Sequence, residues 1–400
     1  MKKIISIALA LLMVAVMLPV MAMADGATEV ATQDDLKNAV ANSGNIKLTS
    51  DIVLTETLKI NSGVTIVLDL AGKKISAAMN GPHMISSAGN LTIIDSVGTG
   101  SIAKEGDSSH LGYVLENHGT MALNGIKVTS ASSKASAIEN GWFTASDNKT
   151  GKNCDMTITN SDISQANGSG GLYTIKNDDY GVMVINGGNF TNSTAGAGTV
   201  LNWNDLTIND GNFTGASAVR TLKQGELGYE VGNTLINGGT FNGKIDTLPN
   251  YSDVQIGVMG GTFNSDVTEY AGDTLVVENN GTYYVGGTAR DAIENATSGT
   301  FTVKKAENGT SLTVKPGVTV ENGMNDGKVT VNGNEVKPGE SYTVPGTITI
   351  IVPSEGGNTT TTPSTDNTKN PGTGANDFVG VAAALAVVSL LGAAAVIRKK

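Results

Sequence analysis

The sequence predicts an all-β fold, a β-solenoid, and three observations predict it. Four short segments repeat one pattern: Ile185-Asn-Gly-Gly-Asn-Phe190, Ile208-Asn-Asp-Gly-Asn-Phe213, Ile236-Asn-Gly-Gly-Thr-Phe241 and Val258-Met-Gly-Gly-Thr-Phe263. An alternating apolar run precedes each (Val182 and Val184; Leu206 and Ile208; Leu235; Val254 and Ile256), which is strand periodicity, and the glycines supply the turn that follows. Next, the residue before each turn gives a series of anchors, Asp69, Asp95, Asn124, Asn160, Asn186, Asn209, Asn237 and Met259, spaced 22 to 36 residues apart. That is the length of one coil of three short strands, with insertions lengthening single loops. Finally, four of the 7 phenylalanines, Phe190, Phe213, Phe241 and Phe263, share one repeat position, which predicts an internal aromatic ladder.

A second set of anchors, Asn117, Asn140, Asn177 and Asn202, each ends an apolar run. Asparagines stacked in successive coils can bond side chain to side chain along the axis, as Asn186, Asn209 and Asn237 can. Composition agrees: Gly is 51 of 400, aromatics are 4% and charged residues 16%, while 39% apolar content fills a narrow core. The single Cys154 excludes an intrachain disulfide framework.

Both ends read as addresses. Lys2 and Lys3, an apolar run over 4–20 and the small-residue site Ala22-Met-Ala24 form a secretory signal peptide, residues 1–24, with the mature chain starting at Asp25. Near the other end, residues 378–397 are apolar and long enough for a transmembrane helix, and Arg398-Lys-Lys400 follows. Ahead of it stand Asn370, Pro371, Gly372, Thr373 and Gly374. This order of motif, span and basic tail resembles the sortase cell-wall sorting signal of Gram-positive surface proteins. Pro371, Thr373 and Gly374 match the common Leu-Pro-x-Thr-Gly motif, Gly372 fills its variable position, and Asn370 stands where that motif has Leu. The resemblance implies cleavage between Thr373 and Gly374 by a sortase and transfer of Thr373 to peptidoglycan, after a transient stay in the membrane. Without the two basic ends, 21 basic and 36 acidic residues leave a net charge near −15. Such a surface argues against a nucleic-acid partner.

Along the chain, Thr32-Gln-Asp-Asp35 predicts a capped helix with Leu36, Ala39 and Val40 on one face, plugging the open end of the first coil. Strands are predicted at Ile46–Leu48, Ile52–Leu54, Leu58–Ile60 and Val64–Leu70. Leu58-Lys-Ile-Asn-Ser-Gly-Val-Thr-Ile66 and Leu68-Asp-Leu-Ala-Gly-Lys-Lys-Ile75, with the later Gly-Gly-x-Phe coils, resemble pectin-lyase-like surface proteins. The resemblance implies a right-handed parallel β-helix with its N-terminal cap over residues 25–287. Thr288-Ala-Arg-Asp291 repeats the Thr-x-x-Asp cap, and Leu312-Thr-Val-Lys-Pro-Gly-Val-Thr-Val320 echoes Leu58 to Ile66. Residues 288–352 therefore read as a small helix-plus-β module, with strands in Lys328–Gly333, Tyr342–Val344 and Ile348–Ile350. Residues 353–370, rich in Thr, Pro, Ser, Gly and Asn, form a flexible spacer before the sorting signal of 370–400.

The pectin-lyase-like fold hosts lyases, hydrolases and non-catalytic adhesins, so the fold does not choose among them. The mature chain has only Arg220 and Arg290 as arginine bases for a lyase, before the tail. Asp178-Asp179 is the best carboxylate pair for a hydrolase, but it falls in a turn and stands alone. His83, His110 and His118 lack metal-ligand spacing, so no metal site and no cofactor are expected. Asp and Asn in stacked turns offer oxygens to a structural calcium ion, yet the calcium-binding Gly-Gly-x-Gly-x-Asp repeat is missing. Trp142, Tyr180, Trp203 and Tyr229 are the candidate aromatic platforms for a polysaccharide or host-surface ligand. Two functional readings follow: a wall-anchored, non-catalytic adhesin or glycan-binding stalk, and a surface polysaccharide lyase or glycoside hydrolase.

Overall fold

The computed structural model describes residues 26–77, 83–105, 112–142, 147–148, 150–166, 172–223, 231–248 and 253–346. The expected signal peptide, with Ala22, Ala24 and Asp25 at its expected cleavage site, lies outside them. So do the expected spacer and sorting motif (Asn370, Pro371, Gly372, Thr373 and Gly374) and the apolar tail, along with His110, Tyr229 and the strand expected at 348–350. Among the described residues no helix is long and apolar enough to cross a membrane.

The chain winds into a parallel β-solenoid of about seven turns. Each coil contributes a short strand to each of three faces. The first face stacks Gly44–Leu48, Thr65–Asp69, Asn90–Ile94, Thr120–Asn124 and Cys154–Thr159 in parallel. The second stacks Ile52–Leu54, Lys74–Ala77, Ser101–Lys104, Lys127–Ser130 and Ser161–Gln165. On the third, Leu58–Ile60, Ile85–Ser87, Leu115–Asn117, Ile138–Asn140, Tyr173–Asn177 and Gly198–Asn202 follow one another. Alternation puts Leu58, Ile85, Leu115, Ile138, Ile175 and Val200 in the core, each 2% exposed or less.

The predicted ladders form. Phe190, Phe213, Phe241 and Phe263 stack at centroid distances of 4.7, 4.8 and 4.8 Å, with interplanar angles of 11°, 3° and 5°. All four are fully buried. Asn117 Nδ2 donates to Asn140 Oδ1 at 2.7 Å, Asn140 to Asn177 at 2.8 Å and Asn177 to Asn202 at 2.8 Å. The second ladder runs with the opposite polarity: Asn237 donates to Asn209 (2.8 Å) and Asn209 to Asn186 (2.7 Å). Between Asn186 and Phe190 the backbone turns through Gly187 and Gly188, with φ of +109° and +116°. A Cβ on Gly188 would lie 2.1 Å from the Ser161 carbonyl oxygen, so neither its angle nor its space admits a side chain.

Two anchors shift. Asp69 pairs with Ile94, which pairs with Asn124, which pairs with Thr159. Asp95 and Asn160 are thus one residue past the register. Asn160 makes the turn to the next strand at φ +46°, and the register runs unbroken on either side of it.

Thr32 caps the first helix, Gln33–Val40, as predicted: its Oγ1 accepts from the Asp35 amide at 3.2 Å, and Leu36 and Val40 are buried. The second cap differs. The helix Gly287–Asn295 begins after Gly286, at φ +65° with no side-chain cap, and Thr288 lies inside it. Gly286 makes the entry turn by backbone angle alone, so a hydroxyl is not needed there. The echo itself holds in the backbone: a helix, a strand (Gly299–Lys305) and a parallel partner (Val318–Asn322) repeat the order seen at Gln33–Val40, Gly44–Leu48 and Thr65–Asp69.

The solenoid's stack of parallel coils ends at Gly261–Phe263. There Thr282–Val285 pairs antiparallel and continues through Val276–Asn279 to Gly299–Lys305. A second apolar cluster, including Ile293, Phe301, Val303, Val318 and Val320, fills this closing unit. A separate three-stranded sheet joins Ser311–Leu312, Val329–Val331 and Asn334–Val336.

Candidate functional site

On the third face the residue just before each ladder Asn points outward. Register places Ser86, Glu116, Glu139, Lys176, Leu201 and Arg220 in one row across neighbouring coils. Outward residues of a solenoid are ordinarily solvated, yet Glu116 is 8% and Glu139 3% exposed. Side chains from the strand approaches and exits cover them. His83 and Tyr113 stack at 5.1 Å on one side, and His118 and Trp142 stack at 3.8 Å and 8° on the other.

Glu116 is the hub. Ser86 Oγ donates to its Oε2 at 2.5 Å, while His83 Nε2 and His118 Nε2 lie 3.2 and 3.9 Å from its Oε1. His83 Nδ1 accepts the Tyr113 amide at 3.3 Å, which leaves the proton of the neutral ring on Nε2 and aims it at Glu116. Lys176 Nζ sits 2.5 Å from Asp178 and 3.8 Å from Glu139. Donor atoms of Glu116, His118 and Glu139 converge within 4.8 Å of one another. A groove of about 500 Å³ opens over Glu116 and His118, lined also by Lys59, His83 and Ser86 among others.

Burial governs the protonation states. It pushes the Glu139 carboxyl up to about 9, against the pull of Lys176 and with the help of Asp178. Both imidazoles are lowered by burial, partly opposed by Glu116, so they are neutral at pH 7. The Tyr113 hydroxyl is raised, first by burial and then by Glu139. The cluster therefore combines a serine hydroxyl, neutral imidazoles, one proton-holding carboxyl and one carboxylate held by donors. Such groups can bind polyhydroxylated ligands, exchange a proton, or hold a metal ion.

The structure adds to two of the sequence readings here. The histidines lack ligand spacing in sequence, but coiling sets His83 and His118 on the same carboxylate. Asp178 does not stand alone: its carboxylate holds Lys176 beside Glu139. Asp178 and Asp179 are buried, and the Asp179 carbonyl accepts the Trp142 amide at 2.9 Å. Arg220 lies within the strand Asp205–Thr221 and is clamped by Asp246 through two 2.7 Å bonds. Arg290 pairs with Glu294 on its own helix.

Of the candidate aromatics, Trp142 joins the cluster. Tyr180 and Trp203 are half-buried, each in the segment just after a ladder Asn (Asn177 and Asn202), Tyr180 at φ +62° and Trp203 with its amide bonded to the Asn177 carbonyl. Glu116, Glu139, His83, Tyr113 and Lys176 were not singled out as a site from sequence. Aligning the chain on Asn117, Asn140 and Asn177 places Glu116, Glu139 and Lys176 in one column, and that alignment is the signal that could have found them.

Comparison with protein-family models, with curated proteins and with solved structures gave no match to the chain.

Proposed function

We propose that the chain is a secreted surface protein, anchored to the cell wall through Thr373, whose solenoid is a rigid non-catalytic stalk that binds carbohydrate at the third-face groove. In this reading the fold is the right-handed, pectin-lyase-like form of the parallel β-helix. One observation carries the binding assignment: a polar floor of Ser86 and Glu116 is flanked by two stacked ring pairs, His83–Tyr113 and His118–Trp142. Sugars offer hydroxyls to such a floor and C–H faces to such rings. The burial of Glu139 favours binding over hydrolysis, since a carboxyl that is 3% exposed does not reach a glycosidic oxygen. Export and anchoring rest on the signal peptide, the run Asn370-Pro371-Gly372-Thr373-Gly374 and the apolar tail.

The test incubates the chain with a panel of uronate and neutral glycans, with and without calcium, and measures retention and products. Retention of one glycan class, lost in Trp142→Ala and in His83→Ala with unchanged circular dichroism, is the expected result. New reducing ends or unsaturated products would move the assignment to a lyase or hydrolase. That second reading draws on Glu116 and Glu139, neighbouring carboxyls of which burial keeps one protonated. Anchoring is tested separately: Thr373→Ala should leave the protein extractable by detergent rather than released by a wall-digesting enzyme.

A further inference from the structure

We infer that Glu116, His118 and Glu139 form a binding site for a divalent transition-metal ion of the zinc type. The inference goes beyond glycan binding, and either can fail without the other.

Geometry comes first. Ligands at about 2.0–2.2 Å from a tetrahedral ion lie roughly 3.3–3.6 Å apart. Here His118 Nε2 is 3.9 Å from Glu116 Oε1, and the donors of all three residues fall within 4.8 Å without an ion between them. Small side-chain rotations close that gap. Glu116 and Glu139 come from adjacent rungs of one face, Leu115–Asn117 and Ile138–Asn140, tied by the Asn117–Asn140 bond, and His118 follows the first rung with its amide bonded to the Ser87 carbonyl at 2.7 Å.

A second, independent observation points to a ligand. Glu139 Oε1 is buried and accepts no hydrogen bond. The nearest cation, Lys176, is 3.8 Å away and lies closer to Asp178, at 2.5 Å. The ammonium thus answers Asp178 first, while donor atoms of Glu116 and Glu139 lie within 4.8 Å of each other. A buried acceptor left without a partner is costly, so it needs an explanation. A dication between the two carboxyl groups supplies one.

The surroundings fit a metal centre as well. Metal-bound carboxylates and imidazoles are oriented by outer partners. Ser86 and His83 donate to Glu116, and the Tyr113 amide fixes the His83 ring so that its Nε2 proton faces Glu116. His83 is therefore an orienting group rather than a ligand. The His118 ring bonds the Gly141 backbone and stacks on Trp142. One nitrogen and two carboxylate donors suit zinc and its neighbours; calcium demands six to eight oxygens, which this cluster does not offer. Glu116 and His118 line the groove, which leaves room there for a water or a ligand hydroxyl to complete the coordination.

The full chain, stripped with chelator and dialysed, is titrated calorimetrically with zinc chloride near pH 7.5. One ion per chain is expected, with millimolar calcium unable to displace it. His118→Asn and Glu116→Gln should each weaken binding by more than about tenfold. Copper(II) electron paramagnetic resonance of the unaltered chain should show coupling to an imidazole nitrogen, a readout that does not depend on any variant folding. Substoichiometric zinc binding, displacement by calcium, affinity unchanged in folded His118→Asn, or a copper spectrum without nitrogen coupling would each overturn the site. Glycan retention measured with and without chelator then reports on the groove independently.

Discussion

The aromatic ladder makes a quantitative prediction at Phe213. Its ring lies between Phe190 at 4.7 Å and Phe241 at 4.8 Å, nearly parallel to both, with no solvent exposure. Replacement by Leu keeps most of the apolar volume and removes only the ring. Two aromatic contacts at about 0.5–1.5 kcal/mol each are lost, so Phe213→Leu should cost about 1–3 kcal/mol. Phe213→Ala adds a cavity and should cost about 3–5 kcal/mol. Phe263 ends the ladder and stacks on one ring only, so Phe263→Leu should cost about half as much as Phe213→Leu. Urea unfolding followed by circular dichroism gives these differences as shifts in midpoint at constant slope. Equal losses for Phe213→Leu and Phe263→Leu would refute the reasoning, because burial alone, without stacking, predicts equality.

Three further perturbations follow from the same geometry. Asn177 donates to Asn202 Oδ1 and to the Gly181 and Asp205 carbonyls, and accepts from Asn140; Asn177→Ala should cost about 2–5 kcal/mol by stranding both neighbours, and Asn177→Asp more, as measured by the same unfolding titration. Gly188→Ala places a methyl against the Ser161 carbonyl at φ +116° and should lower the melting temperature by several degrees, whereas alanine at Gly63, where φ is +83° and the space is open, bears only the backbone penalty. Glu139 carries its proton in the folded state up to about pH 9 but loses it near 4.5 when unfolded. The folded state then binds more protons across that window, so in chelator-containing buffer stability should fall as pH rises from about 4.5 to 9, and Glu139→Gln should flatten the slope. A slope unchanged in Glu139→Gln would assign the pH dependence to other groups.

The solenoid was legible because its determinants recur. A ladder residue is read several times, as Phe190, Phe213, Phe241 and Phe263 are, and a chance match does not survive four repetitions. Asp95 and Asn160 miss the column because each is the first residue of its turn, one step past the paired strand end, and a polar residue there looks in sequence like the ladder residue before it. The second helix starts elsewhere than its sequence suggests because Thr288-Ala-Arg-Asp291 matches a cap in composition, while Gly286 makes the turn by angle alone. The site was hidden for the opposite reason to the ladders. Ser86, Glu116, Glu139 and Lys176 occur once each, at alternating outward positions where polar residues are the norm. What buries them, His83, Tyr113 and Trp142, comes from strand approaches and exits that no periodicity describes.

The cluster's dependence on consecutive rungs limits how this chain can vary in length. Duplicating or deleting one whole winding near Phe241 would change the reach of the stalk by a single strand spacing, about 4.8 Å, and leave the groove intact. The same edit between Leu115 and Asn177 would part Glu116 from Glu139 by an added layer and dismantle the groove while preserving every backbone ladder. Natural or engineered variants of different height should therefore differ in their later windings and agree in the third-face column that spans Ser86 to Lys176.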